Sequence, residues 1–597
     1  MKRLVIISSP EGAAEDERLS ELATFLGVPS DVLPFERSES SPRELLNRVR
    51  PGPCSLAMHV ETLCRVHRAL NPGTSFPQLL GDHFPEILVY GVPAGSQTDE
   101  ALRALTDGTI RKLTLQAAQA VQYSLPREAS EFCAQLAGQK LLTRQEHAAS
   151  AFEIQSESVL VETIIAANEH PMFVRLRSVS RDLFLLADHI PSINKPLSRD
   201  PGLGNDCIPL LAPLMFLRRC FPESCWRGGE ATARLIIDDP LLTKKYGALD
   251  FETLATSIRR FGYGASIAFI PWNHWRSSSS FAARFFGPNS NLSICVHGCD
   301  HTNHEFQLGS VSLLAQKAAL GIQRMEKHQK RVGVPFEDVM VFPQGQFSKA
   351  AIPALRSANY LAAVNSTCFP TDWQAGDLKI SDFLWPAVVC FEGFPVFQRR
   401  YPHSTIDCAL DLFLGKPVLL VEHHEYFRDH CQAMETFVTA LRRLEPSLSW
   451  PSLSEQLMRS NMRRRNESGS FEIRFFTRRF QFVSKESDEG RYRLLRFEPN
   501  PGAVERVLVD GKSVPFGFEK GDLTLEFRAV PGQLRIIDIV NRTAPALPIR
   551  SFGAAHNARV LLRRGLSEFR DGSLSQHKTI LKVATRFAKA LRATGES

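Results

Sequence analysis

The chain has 597 residues, of which 43% are hydrophobic and 23% are charged, and its formal net charge is +7. This length exceeds that of one ordinary domain, so we expect two to four globular domains. The small net charge and the absence of zinc-finger, helix-turn-helix or RNA-recognition patterns argue against nucleic acid as a partner.

The chain begins with a short apolar run, Leu4 to Ile7. The run is too short for a secretory signal and predicts a first strand, and no later run approaches the length that crosses a bilayer. The twelve cysteines lack Cys-x-x-Cys spacing. We therefore expect reduced cysteines in a cytoplasmic protein, although the closest pair, Cys220 and Cys225, could bridge in an oxidising compartment.

Residues 1–205 show the pattern of an α/β domain. Strand-like runs cover 4–7 and 87–90, helix-like runs cover 42–49 and 60–70, and the runs 172–176 and 183–186 read as a hairpin. No phosphate-binding loop or nucleophile elbow is present. A scaffold or oligomerisation role is favoured over a second active site, and an apolar, helix-like connector, residues 206–226, follows.

The segment 227–445 alternates strand and helix signals, which predicts βαβ units arranged as a barrel or near-barrel. In such a fold the active site lies at the carboxyl ends of the strands. The seven strand-like runs are 234–237, 266–270, 292–296, 339–342, 361–364, 388–391 and 418–421.

The composition changes after residue 445. A polar linker, 446–467, leads to alternating runs at 471–475, 493–497 and 523–527, with a turn signal at Asp510-Gly511, and these predict a small antiparallel β-sandwich over 468–545. A basic helical tail, 546–597, ends the chain. Its amphipathic stretch 580–592 could make peripheral contact with an anionic membrane or dock on its own protein. The oligomeric state stays open.

Polar side chains end two of the predicted barrel strands. Asp238 and Asp239 follow the run 235–237, and His297 and His301, spaced i, i+4, follow the run 292–296. A hydrolytic metal site needs about three nitrogen or oxygen ligands and an open position for water. If the chain turns helical after the strand, Asp239 and the two histidines can supply the ligands, which leaves Asp238 as a general base. Zinc is favoured, and cobalt, nickel or manganese would also suit this ligand set.

Further polar and aromatic residues would lie at the same end of the barrel. His304 lies one turn beyond His301 and is either an extra ligand or a solvent-facing side chain. Trp272, Asn273 and Trp275 follow the strand 266–270. The two tryptophans could stack on the faces of sugar rings or simply pack beneath the loop.

These residues resemble the motifs of the polysaccharide deacetylase superfamily (NodB-homology, carbohydrate esterase family 4-like). The run ending in Asp238-Asp239 resembles its first motif, which ends in a base aspartate and a metal-ligand aspartate. The stretch 297–301 resembles the second motif, H-(S/T)-x-x-H, with Gly298 where serine or threonine is usual. The resemblance implies an α/β fold with a distorted (β/α) barrel in residues 227–445.

The remaining motifs match less well. In the third, R-x-P-Y, only Pro343 matches, because Val341 stands in place of the arginine that holds the base and Gln344 in place of the tyrosine. The stretch 382–385, ending in Trp385, is a weak remnant of the fourth motif. The stretch 419–424 resembles the fifth, a strand that ends in the histidine acting as acid.

The resemblance implies a metal-dependent hydrolase that removes an N-acetyl group from a carbohydrate or glycoconjugate. Asp239, His297 and His301 would bind the divalent metal, and Asp238 would be the base. His423 or His424 would be the acid, and His423 is preferred because it is closer to the strand. The substrate would contact Trp272, Asn273, Trp275, Pro343, Gln344 and Trp385.

Two other functions stay open. Glu422 and Glu425, beside the two histidines, would suit a glycosidase, which uses a pair of carboxylates. The missing third-motif arginine and the C-terminal β-sandwich favour a catalytically silent carbohydrate-binding or scaffold protein.

Overall fold

The computed structural model forms two compact units. One contains Met1–Arg227, Ala375–Leu384 and Met462–Ile473, and the other contains Gly228–Gln374, Trp385–Asn461 and Arg474–Ser597. The structure describes residues 1–35, 48–49, 52–70, 84–91, 95–115, 120–143, 149–155, 161–177, 181–197, 208–287, 290–484, 490–542 and 552–569. The predicted amphipathic stretch 580–592, and nearly all of the predicted helix 42–49, lie outside them.

The first unit contains a nine-stranded sheet in which five neighbouring strands are parallel and the other four are antiparallel. The predicted hairpin is present, since Leu176 pairs with Leu183 and Phe173 with Leu186. A separate antiparallel pair joins Ile110–Leu115 to Ser150–Ile154. In sheet order the strands are Ser30–Pro34, Arg3–Ser8, Cys54–His59, Glu86–Tyr90, Asp182–Leu186, His170–Arg177, Val161–Ala167, Gln122–Ser124 and Lys140–Leu142. The α-helices are Ala13–Leu26, Val60–Arg68, Ser96–Leu105, Ser130–Cys133 and Leu211–Cys220.

The second unit contains seven parallel strands that form a nearly closed barrel. In chain order, the first to seventh barrel strands are Ala233–Asp238, Ala265–Phe269, Leu292–His297, Glu337–Val341, Ala362–Asn365, Val396–Gln398 and Val418–His423. Their order around the sheet is sixth, fifth, fourth, third, second, first and seventh. Arg400 reduces the gap between the sixth and seventh strands, because its N–H donates to Leu419 and its carbonyl accepts from Val421. The expected α/β barrel is therefore present.

One predicted strand is wrong. The run 388–391 is a turn, and the sixth barrel strand is Val396–Gln398. Val388 makes only an isolated bridge, to Val396. Immediately after the run, Glu392 and Gly393 have φ angles of 52° and 70°, so the chain reverses there instead of continuing as a strand. Val388 is buried and the rest of the run is half-buried, and sequence periodicity cannot distinguish such an apolar run from a strand.

The barrel helices begin and end at recognisable caps. Ser310 accepts the N–H of Leu313 at the start of the longest helix, Val311–Val332, which ends at Gly333 with a φ of 78°. The other helices of this unit are Phe251–Phe261, Ser279–Phe285, Ala351–Ser357, Thr405–Leu414, Gln432–Leu444, Leu453–Arg459 and Ala554–Phe569.

The C-terminal region is antiparallel β-structure. The predicted turn is present: Val509 pairs with Lys512, and Asp510 and Gly511 have φ angles of 51° and 78°. The strands here are Asn461–Arg465, Phe471–Phe475, Arg479–Val483, Gly490–Phe497, Val504–Val509, Lys512–Val514, Gly517–Glu519, Asp522–Ala529 and Leu534–Asn541. Within the described ranges, no helix combines the length and apolar character needed to span a membrane.

Candidate active site

A buried ion pair lies at the carboxyl end of the first barrel strand. Asp238 is the last residue of that strand, and Arg399 directly follows the sixth strand. The two guanidinium Nη atoms of Arg399 each lie 2.8 Å from one carboxylate oxygen of Asp238. Burial by itself would raise the pKa of Asp238, but the charge of Arg399 outweighs it and lowers that pKa below its ordinary value. Asp238 is therefore held ionised.

Three potential ligand atoms converge beside this pair. Oδ1 of Asp239 lies 3.2 Å from Nε2 of His297 and 3.0 Å from Nε2 of His301. The Oδ1 atom is buried, and within the described part of the chain no group makes a hydrogen bond to it. Burial would raise the pKa of Asp239, but its attraction to His301 and its contact with His297 hold that pKa well below the ordinary value. The two imidazoles are therefore the electrostatic partners of Asp239.

These atoms fit a divalent metal. Nδ1 of His297 lies 2.9 Å from the carbonyl oxygen of Val341, to which it can donate, and this leaves the Nε2 lone pair facing Asp239. Tetrahedral ligands at about 2.0–2.1 Å from an ion lie about 3.3 Å apart, close to the separations seen here. Asp239, His297 and His301 form one of two clusters with metal-ligand potential among the described residues.

The second cluster consists of Cys299, Asp300 and Glu305, and its carboxylates already have partners. Glu305 accepts the backbone N–H groups of Cys299, Asp300 and His301 at 3.1, 2.7 and 3.1 Å. One oxygen of Asp300 accepts from Arg324 at 2.5 Å, and the other contacts His556 at 2.9 Å. These contacts satisfy the carboxylates without an ion, so the cluster holds the loop that carries His301.

That loop is not the helical turn expected from the i, i+4 spacing of the histidines. Residues 298–304 contain no helix, and His301 has a φ of 55°. Gly298 has a φ of 63°, and a Cβ there would lie 2.3 Å from Cγ of Pro343 and 2.4 Å from Oε2 of Glu305. Glycine therefore replaces the family's serine or threonine because there is no room for a side chain.

The two candidate acid histidines have different surroundings. His423 pairs with Asp238 across neighbouring strands and is exposed, and its charge contributes to lowering the pKa of Asp238. His424 is buried, its ring packs edge-on against Tyr246 at 5.4 Å, and its Nδ1 lies 3.5 Å from the backbone nitrogen of Ala248. Only the exposed side chain, that of His423, is open to a substrate entering from solvent.

The predicted sugar-contacting aromatic residues are divided between several environments. Trp275 is 57% exposed, whereas the ring of Trp272 lies 4.9 Å from the guanidinium carbon of Arg324. Asn273 is fully buried, and in the described part of the chain its amide nitrogen has no hydrogen-bond partner. Trp385 packs against the guanidinium of Arg474 at 5.4 Å. Trp275 is thus the most accessible of these four side chains.

The third-motif residues contact the loop of the second motif. Pro343 is buried against Gly298, and the exposed Gln344 donates from Nε2 to Asn303 at 3.1 Å. His304 contacts Gln307 through Nδ1 and is not a member of the ligand cluster. Of the two positions considered for His304, the structure favours the solvent-facing one.

The two glutamates beside the histidines also differ. Glu422 is buried, which raises its pKa to about 7, and within the described ranges its Oε1 has no hydrogen-bond partner. Glu425 is exposed and forms an ion pair with Arg428 at 3.2 Å. The two carboxyl groups therefore differ in burial and in their partners.

Sequence reasoning missed three residues that hold this site: Arg399, Glu305 and Arg324. The signal for Arg399 was present, because a polar residue directly after a barrel strand lies at the catalytic end. It was hidden by the wrong position of the sixth strand. Glu305 and Arg324 act on backbone and on Asp300 from outside any motif, so no local pattern identified them.

Similarity to known proteins is found only among solved structures, and it is low. No family profile matches the chain, and no curated protein matches it in sequence. The carbohydrate deacetylase Agd3 is 9% identical with a TM-score of 0.44, and the match covers 90% of this chain and 98% of Agd3. A family 4 carbohydrate esterase from Streptomyces lividans is 12% identical with a TM-score of 0.25, covering 38% of this chain and 95% of the esterase.

These matches are carbohydrate deacetylases and esterases. One match is BA3943, a family 4 pseudoenzyme from Bacillus anthracis, at 12% identity and a TM-score of 0.25, covering 40% of this chain and 70% of BA3943. At such low identity the likeness assigns no residue roles, and these follow from the geometry alone.

Proposed function

We propose that this protein is a metal-dependent hydrolase that removes an N-acetyl group from a carbohydrate or glycoconjugate. The observation that carries the proposal is the convergence of Asp239 Oδ1 with Nε2 of His297 and His301, directly beside the ionised Asp238. Three ligands next to an ionised carboxylate are the minimum that a hydrolytic metal site requires.

In this mechanism Asp239, His297 and His301 hold a divalent metal ion, which would lower the pKa of a bound water and polarise the acetyl carbonyl. Asp238 accepts the proton of the attacking water, and its pair with Arg399 keeps it in the basic form. His423 protonates the leaving amine, since it pairs with Asp238 across the strands and is exposed at the barrel mouth.

Substrate recognition involves the residues around the same mouth. The exposed ring of Trp275 offers an apolar plane to a sugar face, and the exposed amide of Gln344 offers a hydrogen-bonding group. Trp272, Asn273 and Pro343 support these positions from beneath. Trp385 is also proposed to contact the sugar.

The arrangement favours catalysis over silent binding. The case for a silent protein was based on the C-terminal β-sandwich and on Val341, which replaces the arginine that normally holds the base. Arg399 supplies that guanidinium from another strand end, so the objection based on Val341 no longer applies.

The proposal is tested by measuring acetate released from N-acetylglucosamine oligomers by the metal-reconstituted full chain. Wild type should release acetate, and Asp238→Asn should lower the rate at least about 10²-fold, because a general base contributes about that much. Asp107→Asn is the control, since Asp107 is exposed and its φ of 49° suits asparagine equally well. Cleavage of the oligomer without acetate release would instead indicate a glycosidase. Oligomer binding without turnover would indicate a binding protein.

A further inference from the structure

The C-terminal helix, Ala554–Phe569, contacts the loop that carries the proposed metal ligand His301. Nε2 of His556, in the first turn of the helix, lies 2.9 Å from Oδ2 of Asp300. Asp300 is fully buried, and its other carboxylate oxygen accepts from Arg324. One oxygen of the buried carboxylate thus contacts Arg324 of the barrel unit, and the other contacts His556 of the C-terminal helix.

Asp300 directly precedes His301, so its position constrains the ligand. Arg324, besides its contact with Asp300, donates to the carbonyl oxygen of Cys299 at 3.2 Å. Glu305 accepts the backbone N–H of His301 itself. The left-handed backbone of His301 is therefore held by Glu305 on one side and by the Asp300 contacts on the other. One of those contacts comes from far along the chain.

The other end of the helix is attached to a second loop at the barrel mouth. Nη2 of Arg276 lies 2.9 Å from Oε2 of Glu568, and Arg276 directly follows Trp275. Near the start of the helix, the ring of Phe552 lies 4.6 Å from that of His556 at an interplanar angle of 32°, and this contact restricts the imidazole. The helix is thus joined at both ends to loops that follow the second and third barrel strands.

We propose that the C-terminal helix is a structural part of the active-site mouth and that His556 is a positioning residue for the metal ligand His301, acting through Asp300. The inference rests on the proposed function, since it concerns the same metal site. Groups that orient metal ligands from outside typically change metal affinity by about 10–100-fold when removed. His556 belongs to this class, because it fixes the second oxygen of a buried carboxylate next to a ligand.

The test is the Zn²⁺ dissociation constant of the full chain, measured by competition with a chromophoric chelator for wild type, His556→Ala, His556→Gln and Arg559→Ala. We expect His556→Ala to bind Zn²⁺ about 10–100-fold more weakly. His556→Gln, which keeps an N–H donor, should recover most of this loss. Arg559→Ala is the control for an exposed position in the same helix and should bind like wild type.

Three outcomes would overturn these ideas, two of them the role of His556 and one the proposed function. A wild type that binds Zn²⁺ together with a His556→Ala variant that binds it equally well would overturn the role of His556 and leave the proposed function standing. Equal weakening in His556→Ala and His556→Gln, with the thermal unfolding temperature lowered in both, would show a general folding defect and would also overturn the positioning role. A wild type that binds no Zn²⁺ would overturn the proposed function itself.

Discussion

Arg399 holds the carboxylate of Asp238 at two points, with both N–O distances at 2.8 Å, inside the end of the barrel. Both side chains are almost completely buried. A planar guanidinium matches a carboxylate in this two-point geometry, which a lysine cannot reproduce. The pair therefore fixes the orientation of Asp238 as well as its charge, and the proposed role of Asp238 as a base depends on both.

The first prediction concerns this pair. Arg399→Met should leave a buried, uncompensated carboxylate, so the free energy of unfolding should fall by about 3–5 kcal/mol and acetate release should be lost. The double variant Asp238→Asn/Arg399→Met carries neither charge, so it should regain most of the stability but no activity. Urea unfolding and acetate release measure the two quantities. Full activity in Arg399→Met would contradict the role given to the pair.

The second prediction concerns Gly298, where the deacetylase family usually has serine or threonine. Gly298→Ser should lower the free energy of unfolding and weaken metal binding. The new Cβ would lie only 2.3 Å from Cγ of Pro343 and 2.4 Å from Oε2 of Glu305. Gly333→Ser is the matched control: its φ of 78° is also left-handed, but no atom lies within 4 Å of its Cβ position. The free energy of unfolding of the control should fall by only about 1 kcal/mol, which is the cost of a left-handed backbone conformation for serine. An equal fall in the free energy of unfolding in both variants, measured with urea, would rule out the steric explanation.

The third prediction is a pH dependence of metal binding. Burial alone would lower the pKa of His297, but the negative charges of Asp238 and Asp239 outweigh it and raise that pKa above 6.5. Metal requires the neutral imidazole, so a proton competes with it at any pH below the raised pKa. The dissociation constant for Zn²⁺ should therefore increase about tenfold for each pH unit below that value. Titrations between pH 5.5 and 8 test this, and a flat profile would count against His297 as a ligand.

The fourth prediction concerns the first unit. Burial would raise the pKa of Glu15, but hydrogen bonds from His189 and His59 outweigh it and lower that pKa from 4.5 to about 2. A carboxyl whose pKa is lowered by folding stabilises the protein above its unfolded pKa and loses this contribution as the pH falls through the folded value. The contribution should thus be complete above pH 4.5 and disappear towards pH 2. Its size is at most about 3 kcal/mol.

Urea unfolding of wild type and Glu15→Gln at several pH values measures this contribution. The two proteins should differ most between about pH 4.5 and 6.5, where Glu15 is ionised and its partner His189, whose pKa this contact raises above 6.5, is protonated. The difference should disappear as the pH approaches 2 and decrease again as His189 loses its proton at higher pH. Glu17→Gln, an exposed position in the same helix, is the control and should follow wild type. A constant difference between wild type and Glu15→Gln across the pH range would show that the ionisation of Glu15 does not contribute.

The sequence predicts the barrel well because buried parallel strands appear as continuous apolar runs. The ligand cluster follows from the same logic, since Asp239 and His297 come at or just after the ends of two such runs. The run 388–391 shows the limit: it is as apolar as a strand, but the chain reverses directly after it, at Glu392 and Gly393. That error also concealed Arg399.

Other parts of the site depend on contacts that no local pattern contains. His556 meets Asp300 across 256 residues of chain, and Glu305 stabilises its loop through backbone groups that carry no sequence signal. The expected helical turn at His297 and His301 is wrong for a related reason. The i, i+4 spacing is compatible with a helix, but Gly298 and His301 take left-handed conformations that Glu305 and Pro343 impose.

The most direct test of the proposed site is the metal content of the purified, reconstituted full chain, measured by elemental analysis in three proteins. Wild type and Asp238→Asn should each hold about one equivalent of divalent metal, because Asp238 is assigned as base and not as ligand. His297→Ala/His301→Ala should hold none, since it lacks two of the three ligands. Absence of metal from the wild type after reconstitution, or full retention in the double histidine variant, would contradict the assignment.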